Sequence, residues 1–105
     1  MNPHDAQRTV ARFVEANGLE MPLGSRMLDL VSEVGEVAKE VLNQTNYGRT
    51  RFRPSTEWAD ELGDALFALV CVANTTGVDL AKALAQALAK YKDRLDVSGD
   101  LGSGR

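Results

Sequence analysis

Apolar residues recur at helical spacing through most of the chain. Val10, Phe13 and Val14 give one apolar side to a first segment over residues 5–17, and Asn17-Gly18 is its stop. Met27, Leu30, Val31, Val34, Val37, Ala38 and Val41 return every three or four residues and predict a second helix over residues 25–43. Residues 46–54 read as a loop containing Gly48. Ser55 or Thr56 then suits the N-cap of a third helix, with Glu57 and Asp60 in its first turns, where the helix dipole favours negative charge. That helix runs to about Asn74 and stops at Thr76-Gly77, and Asp79 reads as the N-cap of a fourth that reaches about Leu95. No β-alternation of useful length interrupts this pattern. The expected fold is therefore all-α, a four-helix bundle formed by one domain over residues 1–96. Residues 97–105 are rich in Gly, Ser and Asp and are expected to form a flexible tail.

One stretch does not fit a self-contained bundle. Residues 65–73 read ALFALVCVA, apolar on every side of the third helix. A helix that is apolar all round must be covered all round. Three short helices from a chain this size would cover it poorly, so completion by homo-oligomerisation, as a homodimer or homotetramer, is expected.

Composition narrows the class. At 105 residues the chain has room for one core, and its single cysteine, Cys71, leaves neither an intrachain disulfide nor a multi-cysteine zinc site. A net charge of −3 argues against binding a nucleic-acid polymer, which needs a basic face. The longest uncharged stretch, residues 65–78, is too short for a membrane-spanning helix and is interrupted by Asn74, Thr75, Thr76 and Gly77. There is no basic segment leading into an apolar one at the start, so no signal peptide, no membrane and a cytoplasmic location are expected.

The charge is unevenly placed, and this is where the candidate chemistry lies. Eight of the fifteen Asp and Glu residues fall within residues 29–64, a stretch with a local balance of −4. Asp29, Glu33, Glu36 and Glu40 are spaced by four, three and four, which sets them on one face of the second helix. Glu57, Glu61 and Asp64 share a face of the third in the same way. Like charges at these spacings repel. A solvated face would explain either stripe alone, but the third-helix stripe continues into Ala68 and Cys71, and Val37 borders Glu33 and Glu40 on the second. Carboxylates set against apolar surface are expected to be paired or metal-bound. Lys and Arg are expected to be absent from both acidic faces, since Lys39 points to the opposite side of its helix. A hard divalent cation, Mg²⁺ with Mn²⁺ as a substitute, is the expected partner, and the absence of a neighbouring His disfavours zinc. A carboxylate-held Mg²⁺ completes its shell with waters and substrate phosphates, which points to phosphoryl chemistry, and the chain has no P-loop motif.

The strings LVSEVGEV (residues 30–37) and ELGDALF (residues 61–67) resemble the E-x-x-E … E-x-x-D signature of the MazG-like all-α nucleoside triphosphate pyrophosphohydrolases. The resemblance continues through residues 72–74, 77–80 and 90–94 and covers about two-thirds of the chain. It implies Mg²⁺-dependent cleavage of a (d)NTP between the α and β phosphates, in a house-cleaning role, by helical oligomers with the site beside a subunit interface. By motif position, Glu33, Glu36, Glu61 and Asp64 would hold the metal. Many such proteins carry an acidic residue just before the first motif glutamate, where this chain has Ser32, which leaves the number of metals and the general base open. A spare carboxylate of the cluster, Glu36 or Glu33, is the candidate to deprotonate the attacking water.

Donors for the developing phosphate charge would come from Arg49, Arg51, Arg53, Lys90 and Arg94. The alternatives are a solvated arginine loop and, for Lys90 and Arg94, cations favoured by a helix C-terminus. Asn74 is either a helix-end residue or a polar contact to substrate. Tyr47 and Phe52 flank the arginines and suit either base stacking or anchoring of the loop, whereas Trp58 and Phe67 read as core or interface. Two other functions fit the pattern: a phosphoribosyl-ATP pyrophosphatase-like enzyme, or a helical interaction module without turnover.

Overall fold

The computed structural model describes residues 1–99, with Ser98 by its backbone alone. The described residues form four helices and no strand: α1 (Pro3–Ala16), α2 (Leu23–Gln44), α3 (Trp58–Thr76) and α4 (Leu80–Ser98). Local chemistry fixes most of their ends. Asn2 accepts the Asp5 N–H at 2.8 Å, and Pro3 sits in the first turn of α1. Asp79 caps α4 as expected, accepting the Lys82 N–H at 3.1 Å. Gly77 closes α3 at φ 69°, a left-handed conformation that favours glycine. Gly99, at φ 72°, ends α4. Val97 and Ser98 are therefore helical, two residues beyond the expected domain end, and the rest of the expected tail lies outside the described residues.

The start of α3 departs from expectation. The N-cap is Glu57, itself in a helical conformation and without a side-chain cap bond. The Ser55 hydroxyl instead donates to Glu40 Oε1 on α2 while accepting the Glu57 N–H at 3.3 Å. A charge-assisted bond across the fold takes the hydroxyl that a local cap would have used.

Pairing of α2 with α3 dominates the fold. Ser55 reaches Glu40 at one end of the pair, and Arg26 lies by Phe67 and Ala68 at the other, so the two helices form an antiparallel hairpin. On α2 the covered positions are Arg26, Leu30, Glu33, Val37, Glu40 and Gln44, spaced alternately by four and three. Helix α1 crosses the other side of α3, with the Phe13 and Phe67 rings edge to face at 6.1 Å. Between these two neighbours Ala68, Val70, Cys71 and Ala73 are buried. Helix α4 turns away from α3 by 103° and packs on α1. No single helix among the described residues is long and apolar enough to cross a membrane.

This arrangement leaves much apolar surface uncovered. The chain exposes 7615 Å², where a compact monomer of 11.4 kDa would expose about 5,800 Å². Its radius of gyration is 16.6 Å, against about 13 Å for a compact chain of this length. Three stripes account for the difference in character: Met27, Val31, Val34 and Val41 on α2; Leu62, Leu66 and Leu69 on α3; Leu84, Leu88, Tyr91 and Leu95 on α4. Val31, Leu66 and Leu88 are 64%, 56% and 60% exposed. Val70, by contrast, is 2% exposed and belongs to the chain's own core.

Candidate metal centre

The α2–α3 hairpin brings its acidic faces together. Glu33 and Glu61 are half-buried in the seam and Asp64 stands at its edge. Each offers one carboxylate oxygen, and the three oxygens lie within 4.8 Å of one another. No hydrogen-bond donor or cation among the described residues contacts any of the three. The Glu61 carboxyl is consequently held above its ordinary range, by partial burial first and then by the charges of Glu36, Asp64, Glu33 and Glu40. The hairpin thus places acceptor against acceptor, in an all-oxygen set that suits a hard cation. Oxygens sharing one Mg²⁺ lie about 3–4 Å apart, so rotamer adjustments of about an ångström would close the cluster on an ion.

The other carboxylates of the region divide by surroundings. Glu36 is exposed beside Glu61, close enough that its charge acts on Glu61 more strongly than any other, yet it lies outside the three-oxygen set. Glu40 is occupied: Ser55 Oγ and Gln44 Nε2, the latter at 3.3 Å, both donate to its Oε1. Asp29 joins Glu33, Asp64, Arg26, Phe67 and Ala68 around a cavity of about 310 Å³.

The remaining sequence candidates do not gather here within one chain. Asn74 lies ten residues beyond Asp64, about 15 Å along α3. Its amide accepts from Gln7 Nε2 at 3.1 Å and donates to the Gln7 carbonyl at 3.0 Å, the tie of α1 to the end of α3. Lys90 and Arg94 flank the Tyr91 ring at 5.0 and 5.8 Å on α4, whose packing partner is α1. Arg49, Arg51 and Arg53 are exposed, and their side chains make no ion pair or hydrogen bond among the described residues. Their loop is nonetheless shaped: Asn46, Tyr47 and Gly48 are successive left-handed residues, braced by Tyr47 N–H to Leu42 O at 2.7 Å and Thr50 N–H to Thr45 O at 2.8 Å. Phe52 packs against Trp58 at 5.0 Å and anchors the loop, while Tyr47 is exposed.

One residue contradicts the expectation that the acidic faces carry no cation. Arg26 is 6% exposed and lies on the same side of α2 as Glu33 and Glu40, seven and fourteen residues before them. Its Nη2 donates to the Leu19 carbonyl at 2.7 Å, fixing the α1–α2 connection. The heptad spacing 26–33–40 is the signal that would have found it. Behind it, burial pushes the Cys71 thiol up, against a smaller opposing effect of Arg26 itself.

Residues 23–97 match the MazG nucleotide pyrophosphohydrolase domain. The chain is also similar to the uncharacterized protein YpjD of Bacillus subtilis (strain 168), with 32% identity over 93 residues that cover 86% of this chain and 79% of that protein. No solved structure matches it.

Proposed function

Because the chain belongs to the MazG nucleotide pyrophosphohydrolase family, we propose that it is a Mg²⁺-dependent enzyme that hydrolyses nucleoside or deoxynucleoside triphosphates between the α and β phosphates, releasing a monophosphate and pyrophosphate. The observation that carries this reading is the convergence of Glu33, Glu61 and Asp64 without a single protein donor among them. These three residues, with Glu36 at the edge, would hold the metal, and Mn²⁺ would substitute. The ion's contribution is to neutralise charge on the phosphate oxygens.

The chain's own residues do the rest. Glu33 and Glu61, both half-buried, would hold the ion, and partial exclusion of water there would strengthen each electrostatic contact. Glu36 is exposed, adjacent and outside the tight set, which suits it to take the proton of the attacking water on its carboxylate. Glu33 is too closely tied to the other oxygens to be the better base.

Assembly belongs to the same proposal. The uncovered stripes on α2, α3 and α4 would form the interfaces of a homodimer or homotetramer, since even a few hundred Å² of apolar surface is worth several kcal/mol at about 25 cal/mol per Å². In such an assembly Lys90, Arg94 and the loop arginines of another copy would supply phosphate donors that no single chain brings to its own carboxylates.

The test is pyrophosphate release, with Mg²⁺ and with Mn²⁺, from a panel of all common NTPs and dNTPs together with phosphoribosyl-ATP. Release from one or more triphosphates supports the reading. Turnover of phosphoribosyl-ATP alone would replace it with the histidine-synthesis type of activity. No release from any would leave a helical interaction module.

A further inference from the structure

We propose that Arg26 is a phosphate-binding residue of this site, an assignment that rests on the nucleotide-hydrolysing reading above. Three observations support it. The first is placement. Arg26 lines the half-open cavity of about 310 Å³ that Asp29, Glu33 and Asp64 also line, so it borders one space with two of the three clustered acidic residues. The second is its unmet bonding. Arg26 is 6% exposed, and a guanidinium buried to that degree ordinarily has a counter-ion. Here no carboxylate lies within ion-pair distance of it, although three line its cavity, and its one hydrogen bond goes to the Leu19 carbonyl. No buried side-chain nitrogen among the described residues is both sealed from solvent and unpartnered, so the donors that Leu19 leaves over are reached by solvent, and the residue lines two cavities. The third is rigidity. The Leu19 bond and the burial of its stem hold the fork in place before anything binds, which lowers the ordering cost of binding.

An anion that fits this space must satisfy both ends. Three carboxylates repel a bare anion, so the ligand has to arrive with a cation at Glu33 and Asp64 and turn free oxygens toward Arg26. A phosphate chain carrying its divalent ion has this shape of charge. A planar guanidinium with at least two free donors also matches two oxygens of one phosphoryl group better than an ammonium would. Arg26 would thus bind the phosphate chain on the side opposite the metal and stabilise charge that moves onto it as the anhydride bond breaks.

The experiment uses Arg26→Gln and Arg26→Lys in the full chain. Calorimetric titration with inorganic pyrophosphate in saturating Mg²⁺ is the primary readout, because it needs no turnover. Wild type should bind pyrophosphate, and Arg26→Gln should bind it about 10- to 100-fold more weakly. Mn²⁺ binding without phosphate should be unchanged or tighter in that variant, since a positive charge has left the neighbourhood. In steady-state assays the same variant should raise KM by a comparable factor. If Arg26 only holds the α1–α2 connection, pyrophosphate affinity and KM will match wild type while the melting temperature falls, and the assignment is overturned. Should Arg26→Gln fail to fold, Arg26→Lys keeps the charge and one donor for Leu19, and a loss of at least fivefold in pyrophosphate affinity supports the assignment whereas none overturns it. A wild type that binds pyrophosphate through Arg26 but turns over no nucleotide would sink the enzymatic reading and leave the phosphate site standing.

Discussion

Helix α3 carries two groups of polar side chains against apolar surroundings, and they are built on opposite principles. At its C-terminal end Asn74 meets Gln7 of α1. There Gln7 Nε2 donates to Asn74 Oδ1 and to the Val78 carbonyl at 2.7 Å, Gln7 Oε1 accepts the Leu80 N–H at 2.9 Å, and Asn74 returns a bond to the Gln7 carbonyl. Donors and acceptors alternate, the group is neutral, and it joins α1, α3 and the start of α4. At the N-terminal end Glu61 and Asp64 meet Glu33, with acceptors only and charges of one sign. The first cluster is complete within the chain and serves folding. The second has no donor or cation of the chain among its contacts, which suits it to a component from outside. A closed polar network rigidifies a fold, whereas a half-satisfied one destabilises it unless a ligand enters.

The largest effect should come from changing the incomplete cluster. Glu61→Gln keeps shape but removes one charged oxygen from the centre. Changes to groups that merely support a metal's ligands cost 10- to 100-fold, so loss of a ligand should lower pyrophosphate release by more than about 100-fold. Calorimetry should show weaker Mn²⁺ binding, while the metal-free variant melts no lower than wild type, because repulsion has been relieved. Wild-type Mg²⁺ should raise the melting temperature, since the ion binds only the folded hairpin. Equal Mn²⁺ affinity in the two proteins would remove Glu61 from the metal set.

Both clusters were legible in the sequence to different degrees. The acidic pair of stripes could be read because i, i+3 and i+4 spacing fixes which residues share a helix face, and the convergence of Glu33, Glu61 and Asp64 follows once two such faces meet. Periodicity does not say what a face will meet. The stripe of Met27, Val31 and Val34 is as regular as any core stripe, yet the chain turns it outward and packs the side bearing Arg26, Glu33 and Glu40 onto α3. Nor could the start of α3 be placed from cap preferences, because the Ser55 hydroxyl is claimed by a residue fifteen positions away. Asn74 looked the same whether it contacted substrate or Gln7, since its partner is 67 residues distant and no local pattern links them.

The next effect in size separates the inner and outer sides of α3. Val70→Glu would place a charge in the chain's own core and should unfold it, a loss of several kcal/mol against a total of about 5–15 kcal/mol. Leu66→Glu places the same charge on the uncovered stripe. It should leave the hairpin folded, with near-normal helical circular dichroism, and shift light scattering from an oligomeric mass toward 11.4 kDa. Wild type scattering as a monomer would remove the assembly proposal and with it any role for arginines of a second copy.

The closed cluster should respond in stability alone. Gln7→Ala deletes three hydrogen bonds and leaves the Leu80 N–H and Asn74 Oδ1 without their partner. A cost of about 2–3 kcal/mol is expected, with the melting temperature falling by roughly 10 °C or more. Well below that temperature kcat should be unchanged, because Gln7 touches nothing in the α2–α3 seam. A fall in kcat without a fall in stability would mean that the two ends of α3 are coupled, and the contrast drawn between them would fail.

The smallest effect concerns protons. The Glu61 carboxyl sits above its ordinary value of 4.5 in the folded protein because partial burial and four neighbouring carboxylates disfavour its charged form. Between the ordinary value and the raised one, the folded chain therefore holds more of this proton than the unfolded chain does. Stability must fall as pH rises through that window, and the full penalty persists above it. Metal-free protein should accordingly gain resistance to urea as pH is lowered from neutrality toward the ordinary glutamate range. Saturating Mg²⁺ should flatten the gain, since an ion at the cluster removes the advantage of protonation, and Mn²⁺ affinity should weaken over the same interval because proton and metal compete for one oxygen. Glu61→Gln has no proton to take up there and should lose this part of the slope. Identical slopes in wild type and Glu61→Gln would show that the seam hydrates its carboxylates freely, and the cluster would then resemble any exposed acidic face.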